Sequence, residues 1–353
     1  MFGPLAQVFN DSDARLRRKL GFIYGMLIAF NVAAWAWAVV AFRTHPVLLG
    51  TAMLAYGFGL RHAVDADHIA AIDTVTRKLM QEKKRPAAVG LCFSLGHSTV
   101  VVLASVAVAV ATAAIQSRFD SLKALGNVIG TAVSAGFLFA LAWMNLLILR
   151  GIYRAWRRVR RGGAYEDDDF DLLLANRGVL ARLFRPLFRI VTRSGHMYPV
   201  GFLFGLGFDT ATEIGLLGLA ASQAAKGLSP WAIMVFPALF SAGMSLVDTL
   251  DGHLMLGAYG WAYQKPLRKI YYNMTITLVS ILVAVVIGGI EALGLLADRL
   301  SLKGPLWAAI GALNDHFGLL GYLIVALFVC CWIASVAIYR VKRLDEAGPG
   351  AQA

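Results

Sequence analysis

The chain has 353 residues, of which 58% are hydrophobic and only 15% charged, and it carries a formal net charge of +12. A soluble globular protein is nearer a quarter charged, and the positive mean hydropathy of this chain excludes that class. The basic residues form no single patch with interleaved aromatics, so nucleic acid is excluded as the partner behind the positive charge.

A hydrocarbon core about 30 Å thick takes roughly 20 apolar helical residues to cross. In chain order the apolar runs predict eight spans, at 20–42, 46–73, 87–114, 124–149, 197–222, 230–256, 271–297 and 307–339. Backbone groups in lipid must be satisfied internally, so these are helices. The expected fold is all-α, a polytopic helical membrane protein with eight transmembrane helices. Basic residues at 15–19 precede the first run, which is too long for a signal-peptide core and lacks a small-residue cleavage site, so it reads as a retained span. Placing both termini in the cytoplasm puts 26 of the 33 basic residues inside, in the tail, at 77–85, 150–193, 265–269 and 340–343. That asymmetry is the positive-inside signature.

The longest interruption, 150–196, separates a four-span N-terminal half (1–149) from a four-span C-terminal half (197–340). It begins "RGIYRAWRRVRRGG", passes through the acidic "YEDDDFD", and ends in "GVLARLFRPLFRIVTR". The last piece alternates basic and bulky apolar residues and suits a short helix lying on anionic membrane lipid. The acidic run reads as a solvated face. The tail, 341–353, has the composition of disorder. Cys92, Cys330 and Cys331 lie within spans without metal spacing and read as packing residues. There is also a hint of internal repetition. "GLCFSLGHST" (90–99) and "GFLFGLGFDT" (201–210) share Gly90/Gly201, Phe93/Phe204, Leu95/Leu206, Gly96/Gly207 and Thr99/Thr210, and each neighbours a span with aspartates in its inner half. Transporters often build a central site from such related elements.

Charged groups inside a bilayer cost about 2.5–3.5 kcal/mol each at a central position, and by default they mark function. Here they are read in four spans: Arg61, His62, Asp65, Asp67, His68 and Asp73 in the second, His97 in the third, Asp209 and Glu213 in the fifth, Asp248 and Asp251 in the sixth. Spans one, four, seven and eight read as almost free of polar groups, apart from Asn31. Counting rise along each helix brings all four polar segments between the midplane and the cytoplasmic side. At 100° per residue His62, Asp65 and Asp73 share a face, Asp67 points well away and His68 flanks it. A regular helix therefore cannot aim His62, Asp67 and His68 at one ion, so either the segment is distorted or some of these residues orient the others. Imidazoles with carboxylates suit nickel, cobalt or zinc, and three histidines are not what a magnesium or calcium site requires. Asp73, beside the basic "TRKL", reads as a helix-end or salt-bridge residue, and Arg61 as a counter-charge to Asp65 or Asp248. His97 alone would also suit a hydrogen-bonded core position. His45, His196, His253 and His316 are given no role.

"RHAVDADHIAAIDTVTRKL" (61–79) resembles the signature of the bacterial nickel/cobalt transporter family, the high-affinity nickel permeases, whose hallmark His-x4-Asp-His falls here on His62, Asp67 and His68. "FSLGHSTVV" (93–101), "LGFDTATE" (206–213) and "GMSLVDTLDG" (243–252) are similar to three further family motifs, in order, and the likeness covers nearly the whole chain. Thr74 departs from the asparagine commoner there. The resemblance implies uptake of Ni2+, and in some members Co2+, across the bacterial inner membrane by a single polypeptide without ATP hydrolysis, with no cofactor. It also implies that Asn31 and Val64 tune metal choice. The expected ligands are His62, Asp67, His68 and His97, with Asp65, Asp209, Glu213, Asp248 and Asp251 supporting them or forming an additional metal site. No GxxxxGK[ST] nucleotide loop and no ATPase domain is present in the sequence, in keeping with a carrier. Two alternatives stay open: a secondary transporter of another divalent metal or cationic solute, and a membrane acyltransferase using His62 and Asp67 as a His-x4-Asp pair.

Overall fold

The computed structural model describes residues 11, 16–110, 113–160, 191–206, 211–262, 266–316, 319–327 and 330–331. Described in order are α1 (Leu16–Phe42), α2 (Pro46–His62), α3 (Ala66–Gln81), α4 (Val89–Val110), α5 (Ala113–Arg160), α6 (Met197–Gly205), α7 (Ala211–Ala225), α8 (Pro230–Ile233), α9 (Val235–Ala262), α10 (Pro266–Arg299), α11 (Pro305–Asp315) and α12 (Leu319–Leu327). No strand occurs among the described residues.

Among the described residues five helices are long and apolar enough to cross a membrane, or seven if the bent pairs α2–α3 and α11–α12 each make one span. The sequence predicts eight. The fifth of these, 197–222, is described only in two pieces, α6 of nine residues and α7 of fifteen, with 207–210 between them outside the described residues. Within the second expected span, α2 and α3 meet at 50°. The fourth span also runs past its expected end, because α5 continues through residues 150–160. The acidic run and most of the expected interfacial helix fall in 161–190, outside the described residues, as do Asp209 and the tail from 341.

Small residues let these helices approach to backbone contact. A Cβ on Gly59 would run into the Phe240 carbonyl, which places α2 directly on α9, and one on Gly96 would run into the Tyr198 carbonyl, which places α4 on α6. The pairings also set relative directions. His68 faces Asp248, Ile72 lies against Gly252 and Tyr259 bonds Asp73, so α3 and α9 run parallel. Phe93 packs on Gly201 and His97 on Gly205, so α4 and α6, the two repeated stretches, also run parallel and side by side. Ser134 bonds Glu291 and Leu138 packs on Gly288, making α5 and α10 antiparallel. The apolar core lies between these pairs, with Phe42 stacked on Phe236 where α1 meets α9. Large apolar side chains such as Val32, Val40, Met53 and Leu282 remain exposed around the outside, as a lipid-facing surface requires.

Candidate metal centre

The bend in the signature segment originates in its sequence. α2 ends at His62, and the next backbone bonds span three residues instead of the α-helical four: the Val64 N–H donates to the Arg61 carbonyl and that of Asp65 to His62. Asp65 is extended (φ −67°, ψ 147°) and opens α3 as its N-cap. An aspartate in that place ordinarily caps the first-turn N–H groups. Here its side chain makes no capping bond and turns back to His62. The break thus sets His62 at the end of one helix and His68 in the first turn of the next, with ring centroids 4.6 Å apart.

His97 enters from α4, with its ring 4.7 Å from that of His62 and 4.9 Å from that of His68. Each of the three offers one ring nitrogen, and these atoms all lie within 4.8 Å of one another. The Nε2 atoms of His62 and His97 are 3.0 Å apart, and Glu213 Oε1 lies 2.7 Å from the second and 3.8 Å from the first. Two ligands each about 2.1 Å from one ion and at right angles to each other are about 3.0 Å apart, a spacing that the two ring nitrogens match and that also suits a hydrogen bond between them. Glu213 sits in the first turn of α7, where the helix dipole favours a carboxylate.

Carboxylates set the tautomers. His62 Nδ1–H donates to Asp65 Oδ2 at 3.2 Å and His68 Nδ1–H to Asp248 Oδ1 at 3.1 Å. The proton is thereby held on Nδ1 of each ring, and the Nε2 lone pairs are left for a metal. His68 Nε2 has no hydrogen-bond partner among the described residues. His62, Asp65, His68, His97, Glu213 and Asp248 are all at most 2% exposed. Burying that many ionisable groups is costly unless they are paired or coordinate a metal.

The structure therefore brings together His62, His68 and His97 with Asp65, Glu213 and Asp248. Asp67 is not among them: it is half-buried in the first turn of α3, within electrostatic reach of His68, His97 and Asp248 but outside the group of converging atoms. Asp251 is buried one turn beyond Asp248. Asn31 is engaged elsewhere, donating to the Leu27 and Ala242 carbonyls and accepting from Tyr56. Val64 lies within the break, its carbonyl against Gly321 of α12. Among the described residues Arg61 makes no ion pair with Asp65 or Asp248, whose Oδ2 and Oδ1 respectively face His62 and His68. Asp73 bonds Tyr259 and Ser280. Sequence reading passed over Glu291, which is 2% exposed and accepts from Ser134 Oγ at 2.9 Å between α5 and α10. Its signal was a lone carboxylate inside the apolar run "VVIGGIEALGLL" (285–296).

The profile of the NicO family, described as high-affinity nickel-transport protein, matches residues 48–338. The chain belongs to this family. It is 61% identical to the high-affinity nickel transport protein of Cupriavidus necator over 98% of this chain and 99% of that one. It is 52% identical to the hydrogenase nickel incorporation protein HupN of Bradyrhizobium diazoefficiens, over 92% of this chain and 85% of that one. The cobalt transport protein NhlF of Rhodococcus rhodochrous is 37% identical over 92% of this chain and 94% of its own. No solved structure matches. The family's members are transporters rather than enzymes, and the chain is a multi-pass membrane protein whose substrate is a divalent metal ion.

Proposed function

We propose that this chain carries Ni2+ into the cell across the cytoplasmic membrane, binding it at His62, His68 and His97 with Glu213 completing the set. Asp65 and Asp248 orient the first two rings, and Asp67 adds negative charge beside the site without coordinating. The observation that carries this reading is the convergence of three buried ring nitrogens, two of them on rings whose other nitrogen is held by a carboxylate, within a chain of the nickel-transport family. Imidazole donors suit late first-row metals. Co2+ is the second substrate considered, since NhlF, named for cobalt transport, covers most of this chain.

The excess of basic residues at 77–85 and 150–193 supports a path with both termini inside. The parallel run of α3 with α9, and of α4 with α6, supports the alternation that such a path needs. The driving force requires no ATPase subunit. A dication gains about 4.6 kcal/mol per 100 mV of inside-negative potential, at roughly 2.3 per charge, which alone supports about a thousandfold accumulation.

The test is 63Ni uptake by cells expressing the wild-type chain, His62→Ala or His97→Ala, with Co2+, Zn2+ and Mn2+ as competitors. Loss of uptake in both variants is expected, with Co2+ the strongest competitor. Normal uptake by both would overturn the site, and no metal uptake by the wild type would overturn the function.

A further inference from the structure

Buried polar groups continue past the triad, along α3 and α9 toward Gln81. Asp73, five residues and about 7.5 Å of helix beyond His68, is wholly buried, and its carboxylate accepts from Tyr259 Oη and, at 2.8 Å, from Ser280 Oγ. One turn further on, Arg77 is also wholly buried. Its Nη1 donates to Thr277 at 2.7 Å, while its Nε and Nη2 find no partner among the described residues. On α9, Asp251 lies one turn past Asp248, beside the level where Ile72 meets Gly252. It is 8% exposed, and its Oδ2 likewise has no partner among the described residues. Asp251 is within electrostatic reach of Asp73 and Asp248, and Arg77 within reach of Asp73. Yet no Arg77–carboxylate ion pair closer than 4 Å occurs among the described residues.

Buried polar atoms are nearly always satisfied. The set formed by Arg77, with two idle nitrogens beside Asp73, and Asp251, with an idle oxygen within electrostatic reach of Asp73, leaves buried polar capacity unfilled. Its donors also differ in kind from those of the triad, being carboxylate and hydroxyl oxygens with no imidazole. Oxygen ligands hold a late transition-metal ion less tightly than imidazoles do. A weaker second site beside a tight one is what lets a bound ion move on, since conduction needs binding weak enough, or spread over enough sites, to permit departure.

We propose that Asp73 and Asp251 form a second cation station on the Gln81 side of the histidine triad, with Arg77 as its resident counter-charge, which yields to the divalent cation in transit. Asp73 is then a station ligand held in place by Tyr259 and Ser280, and the ion leaves the triad along the α3–α9 seam. This rests on the triad being the transport site.

The test combines equilibrium 63Ni binding to the full-length chain in lipid nanodiscs with 63Ni uptake into proteoliposomes. One tight class of site is expected in the wild type, removed by His97→Ala. Arg77→Gln, which takes away the resident cation, is expected to add a second and weaker class, removed again in the Arg77→Gln/Asp251→Asn double variant while the tight class persists. Asp251→Asn alone is expected to keep tight binding and to lower the maximal uptake rate about tenfold, as loss of one step in a multi-site path would. A single class in Arg77→Gln, or a wild-type maximal rate in Asp251→Asn, overturns the station. If Asp251→Asn does not fold, the Arg77→Gln binding curve decides alone, its retained tight class reporting an intact fold. Failure of the transport site itself would look different: no tight class in the wild type, or one indifferent to His97→Ala.

Discussion

A histidine serves a metal through one lone pair, so what matters at His62 and His68 is which nitrogen keeps the proton. Asp65 and Asp248 decide this by holding Nδ1–H. Removing such an orienting carboxylate typically weakens metal binding about 10–100-fold. Asp248→Ala is therefore expected to raise the KM for Ni2+ uptake by about that factor, measured by 63Ni uptake with the amount of protein in the membrane held equal. An unchanged KM would detach Asp248 from the site. Helical spacing put His62 and Asp65 on one side in the sequence, but the structure pairs them across the break between two helices rather than along one helix face. The conflict between a straight helix and the full His-x4-Asp-His set was legible in the sequence. The pairing of His68 with Asp248 was not, since no periodicity links residues 180 positions apart. Charge counting suggested Arg61 as a counter-ion for Asp65 or Asp248, but the partners found for those carboxylates are His62 and His68. Glu291 escaped because it stands alone, where a search for clusters does not look.

Among the elements, the break at residues 63–65 does the most, turning one apolar run into two helices whose ends face each other. Apolar length marks a span but carries no record of a bend inside it. The helices on either side are held by contacts that leave no room for a side chain. Gly59→Ala would drive a Cβ into the Phe240 carbonyl on α9. Overpacking of this kind costs about 1–3 kcal/mol, so a lowered melting temperature in detergent and reduced uptake are expected. Gly57→Ala, where nothing lies within 4 Å of the new atom, is the control and is expected to melt no lower than wild type. Equal melting of the two would contradict the close approach of α2 and α9. Asn31 works at this scale as well. Its amide ties α1 to the Ala242 carbonyl and receives Tyr56 from α2, linking α1, α2 and α9. Asn31→Ala leaves a partly buried Tyr56 hydroxyl without its acceptor, a loss of about 1–3 kcal/mol, and a lower melting temperature with tight Ni2+ binding retained is expected.

For the molecule as a whole, composition revealed a polytopic helical membrane protein and charge asymmetry proposed its orientation. Lys83 follows α3 and Lys303 lies in the turn between α10 and α11. With a cysteine placed at either position in a background lacking Cys92, Cys330 and Cys331, an impermeant maleimide is expected to label position 303 in intact cells and position 83 only after permeabilisation. The reverse pattern would invert the proposed path. The centre of the bundle is where three of its helices contribute the rings, and the direct test there is the X-ray absorption spectrum of the Ni2+-loaded protein. Expected is a shell containing about three imidazole nitrogens near 2.1 Å, with the imidazole scattering reduced in His68→Ala. A shell of oxygen ligands alone, unchanged by that substitution, would contradict a histidine-held ion.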